Sequence, residues 1–152
     1  MRQGKFEVTV DECFEQVMRA CAAPRRDEGP AEAWISEEMI DVYTQLHGLG
    51  HAHSVEAWSA GGGERRLAGG IYGVSIGAAF FAESMFCRPE LGGTDASKVC
   101  LVELAQRLRR VGYQLLDVQM ANAHTRRFGV VEIDRETFLL RLAEAICGSA
   151  SI

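Results

Sequence analysis

HSVEAW (residues 53–58), LAGGIYGVSI (67–76) and AFFAESMF (79–86) form the stretch that decides the fold. Each segment is rich in β-branched, aromatic and small residues, and each is bounded by glycine or a polar cluster, so each is predicted to be a strand. SAGGGERR (59–66) separates the first two and Gly77 marks the next reversal. Connections this short join antiparallel neighbours, which predicts a three-stranded meander over His53–Trp58, Leu67–Ile76 and Ala79–Phe86.

Upstream, Phe6 to Val10 reads as a short strand, and Asp11 as the cap of a helix through Cys21, with Val17, Met18 and Cys21 at helical spacing. AAPRRDEGPAEA (22–33) carries two prolines and a glycine and reads as a loop. Ser36 then caps a second amphipathic helix presenting Met39, Ile40, Tyr43, Leu46 and Leu49, stopped by Gly50. Downstream, a loop holding Gly92 and Gly93 leads into a helix from Asp95 to Arg110, with Asp95 as its cap. A strand at Tyr113 to Gln119, a turn through His124, a short strand at Val130 to Ile133 and a helix from Asp134 to about Ala145 complete the chain. This is a mixed α/β order, in which a largely antiparallel sheet is flanked by helices.

The chain has 152 residues, 47% hydrophobic and 24% charged, the size of one domain with a full core. Cys13, Cys21, Cys87, Cys100 and Cys147 form no CxxC pair and read as reduced thiols of a cytoplasmic protein. No apolar run approaches the roughly 20 residues of a membrane span. The net charge of −5 argues against a domain-wide nucleic-acid surface. Arginines nevertheless cluster at 25–26, 65–66, 107–110 and 126–127, enough to make one face locally positive.

Five blocks in series carry a resemblance: HGLGHAHSVEAW (47–58), GGIYGV (69–74), FFAESMF (80–86), DASK (95–98) and LLDVQMANAHT (115–125). Together they resemble the leucyl/phenylalanyl-tRNA–protein transferases, over roughly residues 32 to 140. The resemblance implies an acetyltransferase-like (GNAT) fold, in which two neighbouring strands splay and the donor lies in the gap. Here that gap falls between Ala79–Phe86 and Tyr113–Gln119. It also implies an aminoacyltransferase that moves a Leu- or Phe-like residue from aminoacyl-tRNA to a protein amino terminus, marking the protein for degradation. The implied partners are the acceptor end of the tRNA and a polypeptide beginning with Lys or Arg, with no cofactor. Family members also carry a smaller amino-terminal domain with a tryptophan-rich motif, and this chain is expected to open directly in the catalytic one.

Transfer from an ester to an amine needs a base, alignment of both partners and a stabilised oxyanion, not a metal or a nucleophilic side chain. Asp117 and Gln119 stand two apart on the predicted strand, so both side chains leave one face while Leu116, Val118 and Met120 leave the other. Asp117 would supply charge and Gln119 a carbonyl acceptor. The resemblance gives the matching Asp and Gln this part, with Asn122 orienting Gln119, and puts Glu83 near the reacting groups. Glu83, among phenylalanines, needs a partner: a cationic acceptor, an internal arginine or Lys98. The resemblance further lines an aminoacyl pocket with Ile71, Phe80, Met85, Leu104 and Leu116, with Ser84 and His124 in support. By the same likeness Trp34 stacks on the terminal adenine of the tRNA, while its alternative is to cover the second helix.

His47 and His51 are four apart, but Gly48 and Gly50 interrupt the helix between them, so no metal is expected. Two other functions remain open. Coenzyme A users of this fold present R/Q-x-x-G-x-G/A at a helix start. CRPELGGTDAS (87–97) spaces Arg88 one residue too far from its glycines and puts Asp95 where a phosphate would sit, so no coenzyme A is expected. The third reading is a binding module that has lost catalysis.

Overall fold

The computed structural model describes residues 5–23, 34–61, 64–123 and 125–152. One five-stranded mixed sheet runs in the order β1 (Glu7–Val10), β2 (Ala52–Gly61), β3 (Glu64–Ile76), β4 (Ala79–Cys87), β5 (Leu115–Asp117). The first four strands pair antiparallel and β5 runs parallel to β4. Helices α1 (Phe14–Ala22) and α2 (Glu37–Gly48) cover one face, α3 (Ala96–Arg110) the other, and α4 (Arg135–Cys147) closes the chain. Among the described residues no helix is long and apolar enough to cross a membrane.

The two faces bury different residues of the same strands, as a period of two requires. Val55, Ala57, Ile71 and Phe80 pack with Cys100, Leu101, Leu104 and Leu108 of α3. Tyr72 and Ala52 pack with Phe14, Val17, Met18 and Ile40 of α1 and α2. Central β3 is therefore covered on both sides, and its glycines mark close approaches. A Cβ at Gly69 would lie 2.5 Å from Ala96 Cβ, so only glycine lets the start of α3 dock against this strand.

Several local signals give different outcomes. Ser36 caps α2, accepting from Met39 N. Asp11 caps nothing: it takes φ 61° and its carboxylate accepts from Ser54 N and pairs with His53 Nδ1, while α1 starts later, at Phe14. Asp95 occupies the position before α3 with φ 73° and makes no side-chain capping bond. SAGGGERR is less turn than expected, since β2 and β3 extend into it to Gly61 and from Glu64. The strand expected at Tyr113–Gln119 contracts to Leu115–Asp117, and Val130–Ile133 belongs to no strand.

Candidate functional site

Two irregularities of the sheet build the site. Across the β3–β4 ladder Tyr72 faces Ser84 and Gly73 faces Ala82, so Glu83 is the extra residue of a β-bulge. A bulge frees a side chain from the strand's strict alternation, and here it re-aims a carboxylate. Gly73 belongs to the same device, because a Cβ there would meet Phe81 O at 2.2 Å. The second irregularity is the parting of β4 and β5, whose pairing ends at Phe81–Asp117 while β4 continues to Cys87. A cleft of about 310 Å³ opens where the strands separate, lined by Glu83, Ser84, Met85, Ile71, Gln119 and Trp34 among others.

The chain leaves β5 by a turn, not as a continuing strand. Gln119 has φ 66°, in the left-handed region, and its backbone N–H donates to Asp117 Oδ1 at 2.7 Å. The two side chains therefore do not project side by side from one strand face. The correction has a plain cause: a carboxylate two residues before an N–H closes an Asx turn, which competes with the ladder. The same turn brings Val118 and Met120 into the cleft beside Gln119, whereas alternation would have sent them to the opposite face.

Gln119 Nε2 donates to Glu83 Oε2 at 3.2 Å, so Glu83 and Gln119 of the cleft and Asp117 of the adjoining cavity form one chain of contacts through the Gln119 side chain and backbone. Glu83 uses neither Lys98, which pairs with Asp95, nor any arginine among the described residues. Burial pushes the Glu83 carboxyl above the ordinary carboxylate range; the Gln119 hydrogen bond opposes this and the Asp117 charge adds to it. The Tyr72 hydroxyl, fully buried nearby, has no hydrogen-bond partner among the described residues, and burial raises both it and Tyr43.

A pH prediction follows. A carboxyl raised in the folded state binds its proton more tightly there than in the unfolded chain, so stability falls as pH rises through the folded pKa. Glu83→Gln removes that loss and keeps an oxygen for Gln119. The variant is expected to melt above the parent at neutral pH, with the difference closing as pH falls below the carboxylate range. Melting curves at several pH values check this.

The remaining site candidates divide. Ile71 and Met85 line the cleft, and Leu116 lines the adjoining, larger cavity. Phe80 and Leu104 are each 1% exposed, lie in the core beneath and line neither. Trp34 stands at the cleft, 58% exposed, and is not a cover for α2. Asn122 also lines the cleft, but its side-chain oxygen accepts from Thr125 N, closing the turn that follows, while Thr125 Oγ1 accepts from Asn122 N. Thr125 was not singled out as a site residue, although an Asn followed three residues later by a buried Thr is the signature of such a reciprocal turn. His124 lies outside the described residues. His47 stacks on Phe14 with ring centroids 4.5 Å apart, and His53 is bound to Asp11, so both serve the scaffold.

The comparisons with known proteins bear on the family and the fold. A model of the leucyl/phenylalanyl-tRNA protein transferases matches residues 1–143. The chain belongs to that family. The leucyl/phenylalanyl-tRNA–protein transferase of Rubrobacter xylanophilus is 52% identical over 146 residues, covering 96% of this chain and 70% of the relative. That of Nitrosomonas europaea is 51% identical over 142 residues, 93% of this chain and 56% of the relative. The chain thus spans 56% to 70% of the length of these relatives. Solved structures give the fold alone. A probable acetyltransferase superposes with TM-score 0.61 at 12% identity, over 86% of this chain and 92% of that one. A GNAT family acetyltransferase from Brucella melitensis in complex with acetyl-CoA gives 0.57 at 15%, over 83% and 84%. The leucyl/phenylalanyl-tRNA–protein transferases are aminoacyltransferases, and in this member the bulged Glu83, Gln119 and Asp117 occupy the strand parting of a GNAT fold.

Proposed function

We infer that this chain transfers an apolar amino acid from aminoacyl-tRNA to the amino-terminal amine of a polypeptide, marking it for degradation. The observation that carries this is the Asp117–Gln119–Glu83 chain of contacts where the cleft meets the adjoining cavity. Because Glu83 is an acceptor and takes the amide NH₂, the Gln119 carbonyl is left to accept a hydrogen bond from the incoming amine. The amine nitrogen attacks the ester carbonyl and its surplus proton passes to Asp117, directly or through one water. The carbon–oxygen bond to the ribose then breaks, and the ribose oxygen leaves as a hydroxyl by taking the proton held at Asp117, which returns to its carboxylate. The products are an amide and a deacylated adenosine end.

The cleft is small enough for one aminoacyl group, with Ile71 and Met85 as its apolar wall, Leu116 adjoining, and Phe80 and Leu104 supporting from below. Glu83 makes no ion pair among the described residues, and its half-buried carboxylate favours an acceptor whose first residue is Lys or Arg. Ser84 and Asn122 shape the rim. No role falls to coenzyme A: Asp95 stands at the start of α3, where a pyrophosphate would need bare N–H groups.

Incubation with leucyl-, phenylalanyl- and methionyl-tRNA and peptides beginning with Lys, Arg, Asp or Glu, followed by peptide mass, tests the proposal. A mass gain on the basic peptides is expected; binding without any gain would leave a binding module. Trp34 is assigned to the terminal adenine. Stacking is worth roughly 1 to 3 kcal/mol per base, so Trp34→Ala is expected to raise KM for an aminoacyl-adenosine donor about 5- to 150-fold. An unchanged KM would remove Trp34 from the donor site.

A further inference from the structure

Beside the reaction cleft lies a cavity of about 780 Å³, between α3, the outer side of β5, and the segment leading into α4. Leu101, Val118, Gln119 and Met120 line both spaces, so the two adjoin at Gln119, whose carbonyl is assigned to the reacting amine. Both long walls of the cavity have backbone to offer. Strand β5 is the last of the sheet and pairs only with β4. In a parallel ladder alternate residues aim their amide groups at opposite neighbours, which leaves an open edge. Facing it, Val130 to Ile133 has the composition of a strand but joins no ladder, and its N–H groups make no backbone–backbone hydrogen bond among the described residues.

We propose that the acceptor polypeptide, beyond its reacting first residue, lies as an added strand in this cavity, between the open edge of β5 and residues 130–133. The inference rests on the transferase reading and names how that site holds its second substrate. Strand addition lets main-chain hydrogen bonds supply affinity with little demand on sequence, which suits an enzyme reading only an amino terminus. The walls agree with a polypeptide more than with RNA. Leu115, Val118, Val131 and Phe138 are apolar, and the charged lining is mixed in sign, Asp117 and Glu132 beside Arg135 and Arg141 with Glu132 paired to Arg126, rather than the one-signed basic surface a phosphate backbone calls for. Val131, 70% exposed in the absence of a partner, would be covered by the added strand.

The test uses a short peptide with amino-terminal arginine and a carboxyl-terminal fluorophore, its binding followed by anisotropy without donor. Each inner peptide bond is N-methylated in turn, which deletes one N–H and leaves the side chains unaltered. One lost hydrogen bond is expected to weaken binding about three- to tenfold. Val131→Pro, which deletes an N–H on the opposite wall at an exposed position, is expected to weaken it similarly. Transfer to arginine amide, which has no following residues, should continue at the parent rate. Unchanged affinity for every methylated peptide, or no peptide binding at all, would overturn the proposal. Methyl-sensitive binding with no transfer to any acceptor would uphold the added strand and sink the transferase reading instead.

Discussion

Asp117→Ala is expected to lower peptide transfer about 100- to 10,000-fold, the range of a general base, without unfolding the chain. Two losses combine. The variant removes the negative charge beside the reacting amine, and it removes the acceptor that holds Gln119 N–H at 2.7 Å. Left-handed backbone at a non-glycine residue costs on the order of 1 to 2 kcal/mol. Without Asp117 the Gln119 backbone is therefore expected to relax and take its side chain away from Glu83. Asp117→Asn separates the two effects, because the amide oxygen still accepts from Gln119 N–H while the charge is gone. If charge carries the step, the asparagine variant is nearly as slow as the alanine one, with an undisturbed KM for the peptide. Should it run at the parent rate, Asp117 is a positioning residue and the base lies elsewhere. Initial rates from peptide mass, with thermal melts of each variant, decide this.

Phe80→Ala is expected to cost about 3 to 5 kcal/mol of stability, the usual penalty for emptying a buried aromatic site. Phe80 is 1% exposed, meets Tyr113 edge-to-face at 6.3 Å, and its ring fills the space that Gly73 leaves open, where a Cβ would lie 2.5 Å away. The melting temperature should fall by roughly 6 to 20 °C for a chain of this size. Met85→Ala, on the cleft wall and only partly buried, should lose less stability and shift the preference among aminoacyl donors more. A destabilised Phe80→Ala that keeps the parent's donor preference places Phe80 in the core beneath the pocket. A nearly unaltered melting temperature would contradict the packing described above.

How much was legible in the sequence differs between the sheet and the site. Alternation, glycine punctuation and capping residues are local signals, so the meander of β2 to β4, the α2 cap at Ser36 and the mixed α/β order were readable from residues a few positions apart. The short motifs also named Glu83, Asp117 and Gln119. What they could not give was the geometry joining them. Glu83 and Gln119 are separated by 36 residues and meet through their side chains. Alternation alone would have left Glu83 as an ordinary strand position and paired Gln119 with Asp117 on one face.

Local sequence determined which residues are polar within an apolar sheet, because burying a carboxylate among phenylalanines makes sense only where something meets it. The tertiary structure decided how it is met. The bulge opposite Tyr72 and Gly73 depends on β3 and β4 pairing out of step, and the turn at Gln119 depends on β5 losing its partner after Asp117. The fate of Val130–Ile133 was settled in the same way: its composition favours extended backbone, but a strand exists only where a neighbour supplies hydrogen bonds, and among the described residues none does. Side-chain pattern is a property of the chain alone, whereas ladder pairing is a property of two segments at once.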